Sequence, residues 1–297
     1  MARSTTTATP AAPQFDAQRY KATTTDQWQA AAAAWHGWGP VIDAWLGEAT
    51  EQMLDLAGVT TGSLVLDVAA GAGGQSLAAA RRVGPDGRVL ATDISSHLLD
   101  YADHSARMAG LSGIVATRVM DGEEILVEPG RFDAVISRVG LIYFPDRRRA
   151  LEGMRRALRP GGRISAITYS TAEANRFFSI PVSVIRAEAQ LPPPAAGQPG
   201  PFSLGTIEAL TDALEGAGFT EIEVRRVSSP LHLPSAVDCV LFERESFGAL
   251  HQMMAGLDAQ TRESTWARIT DELTAFDGPD GFVGPCEMLV AGAMNPG

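Results

Sequence analysis

The stretch Leu64-Val65-Leu66-Asp67-Val68-Ala69-Ala70-Gly71-Ala72-Gly73-Gly74 most constrains the fold, because a short apolar run carries an acid and then breaks into glycines. Parallel strands covered on both faces are nearly all apolar. Glycines just after such a strand let the backbone turn sharply and approach a ligand before the next helix starts. The generic precedent is a strand, a G-x-G-x-x-G turn and a helix. Here Ser76 occupies the third glycine position, and Asp67 stands four residues before Gly71. The segment reads as a buried strand feeding a ligand-binding turn.

Three further apolar segments follow, each ending in polar residues. Segment 88–94 delivers Asp93 and Ile94 about 20 residues beyond the glycine turn, the spacing at which a carboxylate accepts from ribose hydroxyls. Segment 114–120 ends in Met120 and runs into Asp121-Gly122, an acid placed to accept from an adenine amino group. Segment 132–138 brings Ser137 and Arg138 to the same carboxyl edge, where open α/β sheets bind ligands. Each acid also has a bland reading: Asp67 as a turn cap, Asp93 as part of a helix N-cap, Asp121-Gly122 as a turn dipeptide. A nicotinamide dinucleotide and S-adenosyl-L-methionine both need a ribose acid, and Asp67 separates them. A pyrophosphate at a helix N-terminus disfavours a neighbouring negative charge, whereas an ammonium welcomes one. An NAD(P)-dependent oxidoreductase leaves Asp67 beside a pyrophosphate, and a non-catalytic scaffold leaves the intact acids without a role.

The order Asp67, Gly71-x-Gly73, Asp93, Asp121-Gly122, Pro160-Gly161-Gly162 resembles the class I S-adenosylmethionine-dependent methyltransferases, closest to the ubiquinone and menaquinone biosynthesis type and to small-molecule tailoring enzymes built on that core. The likeness covers residues 60–170 well and the remainder in outline. It implies a Rossmann-like α/β sheet, mostly parallel, with seven strands of which the last is antiparallel, flanked by helices and carrying an added helical lid. It further implies a cofactor site formed by Asp67, Ala69, Gly71, Gly73, Asp93, Ile94, Met120, Asp121, Gly122, Ser137 and Arg138, with S-adenosyl-L-methionine converted to S-adenosyl-L-homocysteine.

Punctuation sets the expected layout. Residues 1–24 form a tail and N-terminal arm, disordered over the Thr, Ala and Pro-rich stretch 2–13 because it has almost nothing to bury. Residues 25–58 form a helical lid with helices at 26–34 and 41–56. Residues 59–297 form the main domain. Helices are expected at 75–83, 96–108, 145–158 and 206–217, and strands at 163–168, 221–227 and 282–291. Strands alternating with helices at this spacing imply right-handed crossovers. Pro160-Gly161-Gly162 stops one helix and starts a strand. Insertions at 171–205 and 235–278 are where acceptor choice belongs, through Phe177, Phe178, Phe242, Phe247, Met253 and Met254, which double as core between lid and sheet. Trp28, Trp35, Trp38 and Trp45 either staple the added helices or wall the methyl site.

The net charge of -11 over 297 residues argues against a polyanionic partner. Cys239 and Cys286 lack metal or redox spacing, so no metal is expected and a reducing cytoplasm is the natural compartment. No apolar stretch reaches membrane length. A small, largely apolar acceptor, methylated on oxygen or carbon, is the expected partner, in a chain free to form a homo-oligomer. Methyl transfer from a sulfonium needs chiefly positioning. Where a base is required, the candidates are His36, Tyr143 and His251.

Overall fold

The computed structural model describes residues 15–194 and 197–297. The expected disordered stretch 2–13 lies outside the described residues. Ahead of the first strand lie α1 (Ala17–Gly37) and α2 (Gly39–Leu56). The core then alternates: β1 (Leu64–Val68), α3 (Gly74–Val83), β2 (Arg88–Asp93), α4 (Ser96–Met108), β3 (Val115–Val119), β4 (Phe132–Arg138), α5 (Arg147–Ala157) and β5 (Leu158–Tyr169). After α6 (Arg176–Glu188), α7 (Ile207–Gly216), β6 (Thr220–Ser228) and β7 (Leu231–Leu233) come three lid helices, α8 (Ala236–Ser246), α9 (Gly248–Met253) and α10 (Ala259–Leu273). The chain closes with β8 (Asp277–Gly278), β9 (Gly281–Gly284) and β10 (Glu287–Met294).

Seven strands form one sheet in the order β3-β2-β1-β4-β5-β10-β6. The pairs among β1 to β5 are all parallel, and β10 is antiparallel to both β5 and β6. The order reverses beside β1, so β1 and β4 part at their carboxyl ends and open a crevice there. Apolar side chains fill both faces: α2, α3, α6 and the lid helices pack on one, α5 and α7 on the other.

Three local expectations are corrected. The first helix starts at Ala17, not at residue 26, although Thr23, Thr24 and Thr25 are poor helix formers. Asp16 caps it by accepting from the Arg19 N–H, and packing against the sheet's carboxyl edge overrides the propensity. The strand expected at 163–168 begins at Leu158 and runs through Pro160-Gly161-Gly162. Asn295 annexes that segment: Gly161 donates to its carbonyl at 2.8 Å and its own N–H donates to the Gly162 carbonyl at 2.8 Å. The single strand expected at 282–291 is two. Pro285 has no N–H for a ladder, so β9 leaves to join β7 and β8 in a separate three-stranded sheet, while β10 enters the main one.

Candidate active site

The carboxyl ends of β1, β2, β3 and β4 surround a cleft of about 1010 Å³, counting its open mouth. Two backbone strains mark its floor. Ala69, just past β1, and Val139, just past β4, lie in the left-handed region at φ 60° and 62°. A β-branched residue there is an outlier, and such strain, on the order of 1–3 kcal/mol, persists where the surroundings over-determine it. Gly140 explains the constraint. A Cβ on it would stand 2.5 Å from the Ala69 Cβ, so the two strained strand ends touch without room for a side chain.

Asp93 closes β2 and faces the cleft. Its Oδ2 accepts from the Gly71 N–H and its Oδ1 from the Ser95 N–H, both at 2.9 Å. Burial pushes its pKa up, and these backbone donors oppose the shift. One carboxylate thus orders the glycine turn and the start of α4, and each oxygen keeps a free lone pair toward the cleft. Ile94, Leu98 and Met120 line the adjacent wall with apolar surface.

Asp121 and Gly122 also line the cleft, at the end of β3. The Asp121 Oδ2 accepts from Lys21 Nζ at 2.7 Å, and the same ammonium donates to Glu123 Oε2 at 2.5 Å. Glu123 in turn accepts from the Asp146 N–H at 2.7 Å, ahead of α5. Helix α1 is therefore tied across the cleft mouth, with Lys21, Thr24, Thr25, Trp28 and Trp35 on its inner side.

Asp67 requires a correction. It is fully buried and does not reach the cleft, so it cannot meet an ammonium directly. Its carboxyl accepts from Ser76 Oγ and from Gln75 Nε2, and burial raises its pKa to about 7. Gln75, which does line the cleft, also donates to the Ala70 carbonyl at 3.1 Å. Asp67 therefore braces the glycine turn from beneath. Gln75 stands just inside α3, where the helix start alone could have singled it out.

Gly73 and Ser137 stand outside the cleft as well. Gly73, at φ 90°, caps α3, and a Cβ there would lie 2.9 Å from Ala102 Cβ, so its role is helix packing. Ser137 is buried, and its hydroxyl has no partner among the described residues. Arg138 does line the cleft. Its Nη1 donates to Thr50 Oγ1 at 3.2 Å and lies 3.6 Å from Asp43 Oδ1. Burial lowers its pKa against the pull of Asp43 and Asp67.

An aromatic wall completes the site. Trp28 meets Trp35 and Tyr143 edge-on at 5.2 and 5.6 Å, and Trp35 meets Phe247 at 5.9 Å. Trp45 and Tyr169 stand on the same wall. Trp38 has the other role, with Nε1 donating to Glu245 Oε2 at 2.7 Å and its ring on Phe242. Of the lid residues expected to shape the acceptor site, Phe247 alone lines the cleft. Phe177, Phe178, Phe242 and Met254 are buried core, with Met253 packed against them.

Two of the three base candidates lie elsewhere. His36 stacks on Tyr101 at 4.5 Å on the α4 side. His251 is exposed, with Nε2 2.6 Å from the Arg244 carbonyl. Tyr143 lines the cleft, but burial holds its hydroxyl well above the usual tyrosine pKa, so it stays protonated.

Residues 65–162 match the family model described as a methyltransferase domain. The chain is 35% identical over 117 residues to the ubiquinone/menaquinone biosynthesis C-methyltransferase of Idiomarina loihiensis, covering 39% of this chain and 47% of that protein. It thus spans about half the length of such curated relatives. It is 32% identical over 194 residues to the nocamycin O-methyltransferase of Saccharothrix syringae, covering 62% of this chain and 69% of that protein. The chain belongs to the class I S-adenosylmethionine-dependent methyltransferase family. The same fold occurs in a solved phosphoethanolamine N-methyltransferase of Haemonchus contortus in complex with S-adenosyl-L-methionine, with TM-score 0.52 and 21% identity, covering 84% of this chain and 53% of that one.

Proposed function

We propose that this chain transfers the methyl group of S-adenosyl-L-methionine to a small, largely apolar metabolite. The observation that carries this reading is the cleft itself: a ribose-type acid on one side and a desolvated aromatic wall on the other share one enclosure at the sheet's switch point. The residues present fit the cofactor. Asp93 has lone pairs for a diol, Ile94, Leu98 and Met120 supply an apolar slot for a base, and the strained turn at Ala69–Gly71 presents main chain to the amino-acid end. Asp121 meets the adenine amine where Lys21 shares its carboxylate.

The bound sulfonium supplies an activated methyl group with a neutral leaving group. This chain's part is to hold the acceptor in line and keep water out, for which the tryptophan wall suffices. The ionisable groups lining the cleft are Lys21, Asp93, Asp121, Arg138, Tyr143 and Tyr169. Lys21 is paired with Asp121, Arg138 with Asp43, and both tyrosines are held protonated by burial. With Asp93 given to the cofactor's hydroxyls in this reading, no free base is left among these described groups, so the acceptor brings its own nucleophilicity, as a phenol, an enol or an electron-rich carbon does. Relatives of both kinds, an O-methyltransferase and a C-methyltransferase, fit that requirement. The two buried free thiols, Cys239 and Cys286, suit a reducing cytoplasm.

Isothermal titration with S-adenosyl-L-homocysteine and with NADH tests the cofactor. Binding of the first alone is expected, and binding of NADH alone overturns the reading. Transfer of radiolabelled methyl into the organic extract of reactions with phenolic and isoprenoid acceptors tests the substrate class. Transfer to protein or nucleic acid instead refutes it.

A further inference from the structure

One face of α1 runs along the cleft. Lys21, Trp28 and Trp35 recur every seven residues, two helical turns, so their side chains share that face, and all three line the cleft. Toward the start of the helix, Lys21 is tied to Asp121. Toward its end, Trp35 lies against the glycine turn: a Cβ on Gly71 would stand 3.4 Å from the indole Nε1. Edge-on contacts with Trp28 at 5.2 Å and Phe247 at 5.9 Å hold the ring from two sides. Its N–H has no hydrogen-bond partner among the described residues, whereas Trp38 gives its own to Glu245.

An indole nitrogen donates and cannot accept. Neighbouring side chains of the cleft have already spent their donors. Gln75 Nε2 gives to Asp67 and to the Ala70 carbonyl, and Lys21 Nζ to Asp121 and Glu123. The cation beside the turn is Arg138, 7% exposed, whose Nη2 would stand 2.7 Å from a Cβ on Gly74. Its acidic partner Asp43 is 56% exposed and 3.6 Å away, so solvent screens that pair and leaves the guanidinium charge for a ligand. An unspent donor and a buried cation therefore meet the turn at 71–74 from α1 and from the end of β4.

We propose that Trp35 is a cofactor-binding residue: its indole N–H donates to the carboxylate at the amino-acid end of S-adenosyl-L-methionine, with Arg138 supplying the opposite charge. This rests on the methyl-transfer reading above. The carboxylate is the cofactor's one anion, and a charged acceptor makes the stronger bond, so it outcompetes a ribose hydroxyl for the N–H. The ammonium is excluded as the partner because it has no lone pair to accept with. Helix α1 then holds the cofactor at both ends of its inner face, through Lys21 beside the adenine acid and through Trp35 at the glycine turn.

The test is calorimetric titration of the full chain and its Trp35→Phe and Trp35→Leu variants with two ligands. One is S-adenosyl-L-homocysteine. The other is its decarboxylated form, 5′-deoxy-5′-(3-aminopropylthio)adenosine, which keeps adenine, ribose and ammonium and lacks only the carboxylate. Trp35→Phe keeps a ring against Trp28 and Phe247 while removing the N–H. It is expected to raise the Kd of S-adenosyl-L-homocysteine about tenfold or more, the loss of one hydrogen bond to a charged partner, and to leave that of the decarboxylated form unchanged. Trp35→Leu gives the same split, so it decides the matter where the first variant misfolds. Equal weakening of both ligands overturns the proposal, because the indole then packs against a part of the cofactor that both share. So does an unchanged Kd for S-adenosyl-L-homocysteine in a folded variant. Failure of wild type to bind S-adenosyl-L-homocysteine removes the methyl-transfer reading as well, whereas failure of the proposal alone leaves wild-type binding intact.

Discussion

Replacing Asp93 by alanine is the most informative perturbation of the cofactor half. In the structure this carboxylate accepts from two backbone N–H groups at 2.9 Å and turns its remaining lone pairs toward the cleft. Losing a charged acceptor for the cofactor's hydroxyls costs about 1.5–3 kcal/mol. At 1.36 kcal/mol per decade that is a rise of about 13- to 160-fold in the Kd of S-adenosyl-L-homocysteine. The Gly71 and Ser95 N–H groups lose their acceptor too, so Tm falls by several degrees, and the titration is made well below the variant's melting point. Asp93→Asn, which keeps one acceptor oxygen, falls between alanine and wild type. Because burial raises the Asp93 pKa, wild-type affinity declines on acidification at a higher pH than it would for an exposed aspartate. A Kd within threefold of wild type in a folded Asp93→Ala protein, measured by calorimetry, refutes the ribose assignment.

Asp67 titrates near pH 7 folded and near 3.8 unfolded, so the folded state binds the extra proton between those values and stability falls as pH rises from about 4 to 7. Asp67→Asn removes that dependence, and the gap between variant and wild type in denaturant melts widens over this window by roughly 2–4 kcal/mol at most; a gap independent of pH is the contrary result. Lys21→Met unties α1 from Asp121 and Glu123, so hydrogen exchange over residues 17–28 accelerates and the cofactor dissociates faster; unchanged exchange and off-rate show that the tie holds nothing. His36→Ala and His251→Ala leave kcat within about twofold of wild type, since neither ring reaches the cleft, and a 100-fold loss in either restores that histidine as a base.

The legible part of this chain is the part governed by local patterning. Helix 96–108 starts just after its N-cap Ser95 and stops ahead of Gly110, and strand 132–138 is an apolar run with turn residues on both sides; both agree with the structure residue for residue. What escaped depends on distant partners. The first turns of α1 are helical because Lys21, Thr24 and Thr25 find the sheet edge, a contact that a threonine-rich sequence does not announce. Pro285 splits one apolar run between two sheets, and only the neighbours of each half show it. Asp67 has the right spacing for a ligand contact, but strand spacing leaves open whether a side chain meets the ligand or the helix beneath it. Gln75, in between, had no apolar pattern or charge to mark it.

The placement of β10 sets an order of assembly. Strands β1 to β5 emerge in sequence and pair in parallel as they come, so the cofactor edge can form early. Between β5 and β6, however, the sheet holds a gap that only the final strand fills. Until Glu287–Met294 leaves the ribosome, both flanking strands expose bare ladders, the kind of edge that recruits other chains. The lid helices are synthesised inside this interval and wait on the same event. Ragged truncation after residue 286 would therefore yield a chain with an intact glycine turn and acids, yet one whose open sheet favours aggregation over turnover.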